Sequence, residues 1–411
     1  MKKIRTILFI LGAISLAAAP CLAGDRRLSL EECLDQALKN NPDIQRAAQA
    51  LEAARGRRLQ SQALPNPELS MSADGLPLKK DAGENEINVG VQQLFEFPGK
   101  RGLRMTLGKY EEDAGSLELE RAKLLVLAGV KRAYSEAAAS QQRVRNLEAA
   151  LEDLKSYTSL AQAKYAALQT SSVDVSRGTI EELKVKVEIV EARQRLRSDL
   201  AGLCLIMGRQ TMDPAPLLDE LRFDPLTLSL DDVLRDSGNR VSLRAAALRL
   251  DQSRAAISLA RKSNLPDFKL GLFYPSLRTS GWGISLETTL PLFWKKQKGE
   301  VQEAEALLRE NEVRRRAQSL KVETSLRNVF AELNMLQEKL KLFDTSLLRE
   351  TQGLIQSALK DYQFGKLDSL GLLDLYRTWR DLSREHLETL LRYVQVAAAL
   401  EVAGEEDAYE E

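Results

Sequence analysis

Histidine and cysteine are almost missing from this chain of 411 residues, which has one His and three Cys. That scarcity argues against a His/Cys metal cluster and a Cys–His catalytic pair. It also argues against a disulfide-stapled scaffold. Aromatics are scarce as well, at 5%. Neither sign of charge is in excess: Lys+Arg and Asp+Glu both number 59, so the formal net charge is zero. A nucleic-acid binder working through bulk positive charge is therefore excluded. No phosphate-binding Gly-rich loop is present, so neither a nucleotide site nor a cofactor is expected.

What is present begins with an address. Met1-Lys2-Lys3-Ile4-Arg5 is a basic start, Ile7 to Ala19 is an apolar run, and Cys21-Leu22-Ala23 precedes Gly24. Residues 1–23 read as a secretory signal peptide, too short to span a membrane as a helix. The rival reading acylates Cys21, but Pro20 stands where a small non-Pro residue is expected. No later apolar run approaches ~20 residues, so a membrane could be entered only by strands.

Proline is absent between Pro98 and Pro214 and again after Pro291. Proline breaks helix interiors, so two long stretches are free to be helical. Val126, Val130, Ala133, Ala137, Ser140, Val144, Leu147, Leu151, Leu154, Thr158 and Ala161 alternate four and three apart, and the spacing continues to Tyr165 and Leu168. Leu326, Val329, Leu333, Leu336, Leu340 and Phe343 repeat the pattern, as do Leu372, Leu375, Trp379, Leu382, His386, Thr389, Tyr393, Val396 and Leu400. This is a heptad seam between long antiparallel helices. By itself it also fits an ordinary coiled-coil rod.

The chain is duplicated. Ser29-Leu30-Glu31-Glu32 returns as Ser229-Leu230-Asp231-Asp232, Leu64-Pro65 as Leu265-Pro266, and Tyr165 as Tyr362. Residues 24–221 form a first repeat with strands near 67–76 and 86–97 and a helical hairpin near 98–208. Residues 222–404 form a second, with strands near 267–275 and 281–292 and a hairpin near 293–403. Residues 405–411 are read as a frayed acidic tail. The long helix of the first repeat would run ~108 Å, nearly matched by two shorter helices stacked end to end.

The strands alternate. Val89, Val91, Phe95 and Phe97 share one face against Asn88, Gly90, Gln92 and Glu96; Trp282, Ile284 and Leu286 oppose Gly283, Ser285 and Glu287; Leu270 and Leu272 give a shorter version. Period two with one polar face fits either a half-buried soluble sheet or tilted membrane strands. Four strands cannot close a barrel and lipid tolerates no open edge, so spanning strands would need several chains.

The sequence resembles the TolC-like outer-membrane efflux family. The residues that carry this are Ser29-Leu30-Glu31-Glu32 with Ala37-Leu38 and Asn41-Pro42, Leu64-Pro65-Asn66-Pro67, Gln93-Leu94-Phe95 with Pro98-Gly99-Lys100-Arg101, Pro291-Leu292-Phe293, and above all the run from Tyr362 to Asp374. Pro98-Gly99-Lys100-Arg101 is most similar to the heavy-metal efflux branch. The resemblance implies a mainly α fold with transmembrane β: a homotrimer whose helical barrel crosses the periplasm of a Gram-negative bacterium beneath a shared twelve-stranded β-barrel in outer-membrane lipid. It implies a passive exit duct, with a periplasmic adaptor and an inner-membrane transporter as partners. The runner-up is the adaptor itself, and a third reading is a structural coiled coil. An enzyme is the least expected class.

The helical tips are the expected adaptor contacts: Thr170, Ser171, Ser172, Val173 and Asp174, then Gly365, Lys366, Leu367 and Asp368. Tip one has Leu168 where tip two has Gly365, so its turn is expected at Thr170–Ser172 instead. Asp361, Asp368 and Asp374 are candidates for an acidic ring at the pore, with Asp368 nearest the constriction. Val89, Val91, Phe95, Phe97, Leu270, Leu272, Trp282, Ile284 and Leu286 are the expected membrane-facing side chains, and 75–86 and 275–281 the outer loops. His386 reads as a packed or partner-facing seam residue. Cys33 and Cys204 read as buried apolar groups rather than a disulfide. Met71, Met105, Met207, Met212 and Met335 do not cluster.

Overall fold

A computed structural model describes residues 27–74, 86–209, 216–275, 281–289, 294–343 and 348–405. The signal peptide, residues 75–85 and 276–280 of the outer loops, Met212, Pro291-Leu292-Phe293 and tail residues 406–411 lie outside the described residues. The chain forms α1 (Leu30–Asn40), α2 (Pro42–Gln62), β1 (Glu68–Asp74), β2 (Glu86–Phe95), α3 (Lys100–Ala166), α4 (Ser172–Ile206), α5 (Leu230–Asp236), α6 (Val241–Ser263), β3 (Phe268–Pro275), β4 (Gly283–Thr288), α7 (Lys295–Leu342), α8 (Leu348–Gln363) and α9 (Ser369–Val402).

Local chemistry sets the boundaries. Ser29 opens α1 with a capping box: its hydroxyl accepts from the Glu32 amide at 3.2 Å, and Glu32 accepts from the Ser29 amide at 3.4 Å. Ser229 caps α5 by accepting from the Asp232 amide at 3.2 Å. Gly99, at φ 90°, turns the chain from β2 into α3. The residues after it tie that corner together. Lys100 donates to Leu265 O at 2.6 Å and Asp267 Oδ1 at 2.9 Å, while Arg101 and Arg104 donate to Gln62 O and Ala63 O at the end of α2. Lys and Arg beside helix-terminal carbonyls satisfy acceptors the helix leaves open.

The sheet is antiparallel throughout, in the order β1-β2-β3-β4. Its strands hold seven, ten, eight and six residues, several shorter than expected. Phe97 falls beyond β2, because its amide turns away to donate to Asp267 Oδ1 at 2.8 Å. Trp282 precedes β4 and packs edge-on against Tyr274, ring centroids 5.6 Å apart.

The helices form a long sheet-like wall. α3 has 67 residues and spans ~100 Å. Its first half packs on α2 and α6 and its second half on α4 and α9. α7 lies along α6 and then α9. At the equator α4 ends where α2 begins: the Asn41 side chain caps α2 through the Asp43 and Ile44 amides and donates to Ile206 O at 2.7 Å. Two short helices thus stand end to end beside one long one. The outgoing arm of the second hairpin is described as α7 and α8; residues 344–347 lie outside the described residues.

The heptad seam is the core. Val130, Ala137, Leu147, Leu154 and Ala161 on α3 and Leu326, Leu333, Leu340, Leu372 and Leu400 on the second hairpin are buried. A belt segment crosses the equator, where Leu28 bridges Leu217. The Tyr134 hydroxyl sits 2.8 Å from Asp219 Oδ2, and the Tyr393 hydroxyl donates to Asp224 O at 2.8 Å. Glu405 is not part of a frayed tail: it is 1% exposed and hydrogen-bonded into the equator.

Candidate functional site

The two tips close with the same hydrogen bonds. In tip one the Gln169 amide donates to Lys164 O at 2.8 Å and the Leu168 amide to Tyr165 O at 2.9 Å. In tip two the Lys366 amide donates to Asp361 O at 2.8 Å and the Gly365 amide to Tyr362 O at 3.2 Å. Both are Schellman turns. Tip one therefore turns at Leu168, not at Thr170–Ser172: Leu168 itself takes the left-handed conformation at φ 60°, where Gly365 has φ 73°. Leu168 is also 92% exposed. Left-handed backbone costs an L-residue roughly 1–2 kcal/mol, and nothing in the chain packs on this side chain to offset it.

Beyond the turns, Ser171 caps α4 by accepting from the Val173 amide, and Thr170 donates to Asp174. Asp368 caps α9, accepting from the Gly371 amide at 2.9 Å. Ser171, Ser172, Val173, Gly365, Lys366, Asp361, Asp368 and Asp374 are exposed, and Thr170 and Asp174 are half-buried. Leu367 turns inward and packs on the lower core.

Sequence reading missed what joins the tips. The Tyr157 hydroxyl on α3 lies 2.5 Å from Ser369 Oγ at the start of α9. The rings of Tyr157 and Tyr362 are 5.2 Å apart, and the Lys164 ammonium sits 4.6 Å above the Tyr362 ring. Burial pushes the Tyr362 hydroxyl up to about 12. Further up, Glu181 on α4 is 4% exposed and pairs with Arg377 of α9 and with Lys184. Burial raises its carboxyl, but hydrogen bonds from Arg377 and Lys184 outweigh that and hold it below the ordinary range. Apart from Lys184, which is three positions from Glu181, these partners are about 200 positions apart, so no local spacing signals them. The repeat did relate Tyr165 to Tyr362, yet Tyr165 is exposed and Tyr362 is buried.

One face of the sheet is apolar and bare. Leu69, Val91, Leu272 and Ile284 lie in one cross-strand row, all at least half exposed. Val89, Met71, Leu270 and Leu286 flank it, and Phe95 ends it, all exposed. The opposite face carries Glu68, Gln92, Lys269 and Glu287, joined as Lys269–Glu68 and Gln92–Glu287 at 2.9 Å each. β1 and β4 are open edges among the described residues. The helical wall has edges too. On α4, Val173, Ile180, Leu183, Val187 and Val190 form an exposed heptad stripe; on α7, Val313, Leu320, Met335 and Leu342 are exposed.

His386 packs edge-on to Phe343 at 5.6 Å, and Cys33 and Cys204 are buried free thiols. Burial pushes Cys33 up to about 11. No helix among the described residues is long and apolar enough to cross a membrane. No group of three or more His, Cys, Asp or Glu among them could hold a metal ion.

A sheet with a bare apolar face above a tall helical wall defines a class of outer-membrane channel subunit. The family model described as outer membrane efflux protein matches residues 33–209 and 237–403, and the chain belongs to that family. The cobalt-zinc-cadmium resistance protein CzcC of Cupriavidus metallidurans is 20% identical over 377 residues, covering 91% of this chain and 89% of that one. The nickel-cobalt-cadmium resistance protein NccC of Alcaligenes xylosoxydans xylosoxydans is 24% identical over 308 residues, covering 72% and 69%. Among solved structures, CusC superposes with a TM-score of 0.78 at 17% identity, covering 91% of both chains. The open state of the Neisseria gonorrhoeae MtrE outer membrane channel gives 0.77 at 20%, covering 92% and 88%. The protein is the outer-membrane exit duct of a TolC-like efflux system, similar to the heavy-metal branch, working with an adaptor and an inner-membrane pump.

Proposed function

We propose that three copies of this chain form the duct, their twelve strands closing one β-barrel in outer-membrane lipid and their helices one periplasmic tube. The observation that carries this is the four-stranded sheet with two open edges and a bare apolar face. Lipid accepts the face but not the edges, and neighbouring copies supply the missing strand partners. The apolar stripes on α4 and α7 support head-to-tail closure, since they lie on opposite edges of the wall. Val89, Val91, Phe95, Leu270, Leu272, Ile284 and Leu286 then face lipid, with Trp282 at the interface, while Phe97 serves the corner below.

The tips dock a periplasmic adaptor. Tip one leads with Leu168, flanked by Tyr165 and Val173, and tip two offers Phe364, Lys366 and Leu370, all exposed. Asp361, Asp368 and Asp374 line the periplasmic mouth as an acidic ring that favours cations. The names of the two metal-resistance relatives support transition-metal cations as cargo. Residues 1–23 direct export and are removed.

The test is the mass of the assembly extracted from outer membranes in mild detergent, by light scattering corrected for detergent. Three chains are expected. A periplasmic monomer or dimer would overturn the shared barrel.

A further inference from the structure

The polar face of the sheet carries one aromatic side chain among the described residues, Phe273 of β3. Its cross-strand row reads Ser70, Gly90, Phe273, Gly283, so both of its direct partners are glycine. The ring lies across β4: a Cβ at Gly283 would stand within 2.7 Å of its Cζ, Cε1 and Cε2. On the other side, a Cβ at Gly90 would come 3.1 Å from Phe273 Cβ.

Glycine inside a strand gives up packing and marks a close approach by another group. Here that group is the ring, and an aromatic laid over a cross-strand glycine restores the lost contact. Phe273 is half-buried, as a ring covered on one face would be. The charges of this face stand nearer the helices. Glu68 and Gln92 lie one row down and Lys269 and Glu287 two rows down, paired as Lys269–Glu68 and Gln92–Glu287. Ser70 and the two glycines leave the Phe273 row without charge.

We propose that Gly283 sets the bore of the duct at this level by seating the Phe273 ring flat on the barrel wall. This rests on the trimer reading, in which the polar face lines the lumen. Three copies then place three rings on the wall at one height. A side chain at position 283 displaces each ring from β4, and the next staggered rotamer carries it towards the axis. Because the row is uncharged, the property it selects is the size of the solute and not its sign. Phe273 and Gly283 are therefore a specificity-determining pair, remote from the acids of the tips.

Thiol labelling on intact cells tests it. Glu287→Cys puts a thiol on the polar face two rows below Phe273, and maleimide-tagged polyethylene glycols of graded size are added outside. The native protein is the blank, since Cys33 and Cys204 are buried. Adding Gly283→Ala should shift the largest reagent that labels to a smaller size. Adding Phe273→Ala as well should return the limit to at least its starting value, because no ring is left to displace. An unchanged limit in the Gly283→Ala protein, or the same shift without the ring, would overturn the seating. Should Gly283→Ala fail to assemble, Phe273→Trp is compared with Phe273→Ala: a smaller limit for Trp supports the pair, and equal limits overturn it. Light scattering on each extracted protein separates the two readings. A starting protein of fewer than three chains removes the barrel itself, whereas a trimer with unshifted limits removes the seating alone.

Discussion

Leu168 and Gly365 occupy the same position in the two tip turns, and both are left-handed, at φ 60° and 73°. Glycine adopts that backbone freely, whereas leucine does so at a cost. Leu168 is 92% exposed, so the cost is not recovered inside the chain. Strain retained at an exposed apolar residue points to contact with another molecule.

Leu168→Gly should separate the two effects. Thermal unfolding should show a tip stabilised by about 1 kcal/mol. Adaptor affinity, measured by titration, should fall about tenfold or more, since a buried leucine is worth roughly 1.5–3 kcal/mol. Unchanged affinity would remove Leu168 from the docking surface.

Gly178 lets α4 approach α3 near the tip. A Cβ there would lie 2.7 Å from Thr158 Oγ1 and 2.9 Å from Tyr157 Cε1. Gly178→Ala should destabilise the α3–α4 hairpin by about 1–3 kcal/mol. Gly129→Ala, where a Cβ meets nothing within 4 Å in the chain, is the control and should stabilise α3 slightly. Calorimetry of both variants decides.

Ile284→Arg places a charge in the bare apolar row and should cost about 2–4 kcal/mol at bilayer mid-depth. Ser285→Arg, one residue on and on the polar face, should assemble normally. Equal yields from the outer membrane for both variants would argue that the row does not face lipid.

Asp368 both caps α9 and carries charge. Asp368→Asn keeps a good cap and should leave the melting temperature unchanged while lowering cation selectivity in planar-bilayer recordings. Asp368→Ala should in addition lose about 1 kcal/mol of stability. Unaltered selectivity in the Asn variant would place the charge away from the pore.

The Glu181–Arg377 pair sets a pH limit on the α4–α9 contact. Its carboxyl is held below the ordinary range in the folded state, so its stabilisation is present above the unfolded carboxylate pKa of about 4.3 and disappears as pH falls through the folded value. Glu181→Gln should flatten the acid limb of a stability-versus-pH profile, measured by denaturant unfolding. An unchanged limb would show that other carboxylates set it.

Much of the molecule was legible in its sequence because the signals are local. The gaps between prolines allowed the long helices, and the four-three spacing of Val130, Leu147 and Leu154 marked the seam that is buried. Period two marked the strands, and the return of Ser29 at Ser229 and of Tyr165 at Tyr362 gave the duplication. Each rests on residues within a turn or two of one another, or on one unit copied whole.

Tertiary structure decided the rest. The sequence placed tip one's turn at Thr170–Ser172 because leucine disfavours left-handed backbone; the chain nevertheless closes at Leu168, with the Leu168 amide on Tyr165 O and the Gln169 amide on Lys164 O. Phe97 reads as the next outward strand residue, but Asp267, far along the chain, takes its amide. Glu405 reads as the start of a charged tail, yet α6 lacks a cap and draws it in. Glu181 meets Arg377, and Tyr157 meets Ser369, only because two hairpins lie side by side. Local sequence fixes what each segment can form; which distant group satisfies its last hydrogen bond depends on the packing of the whole wall.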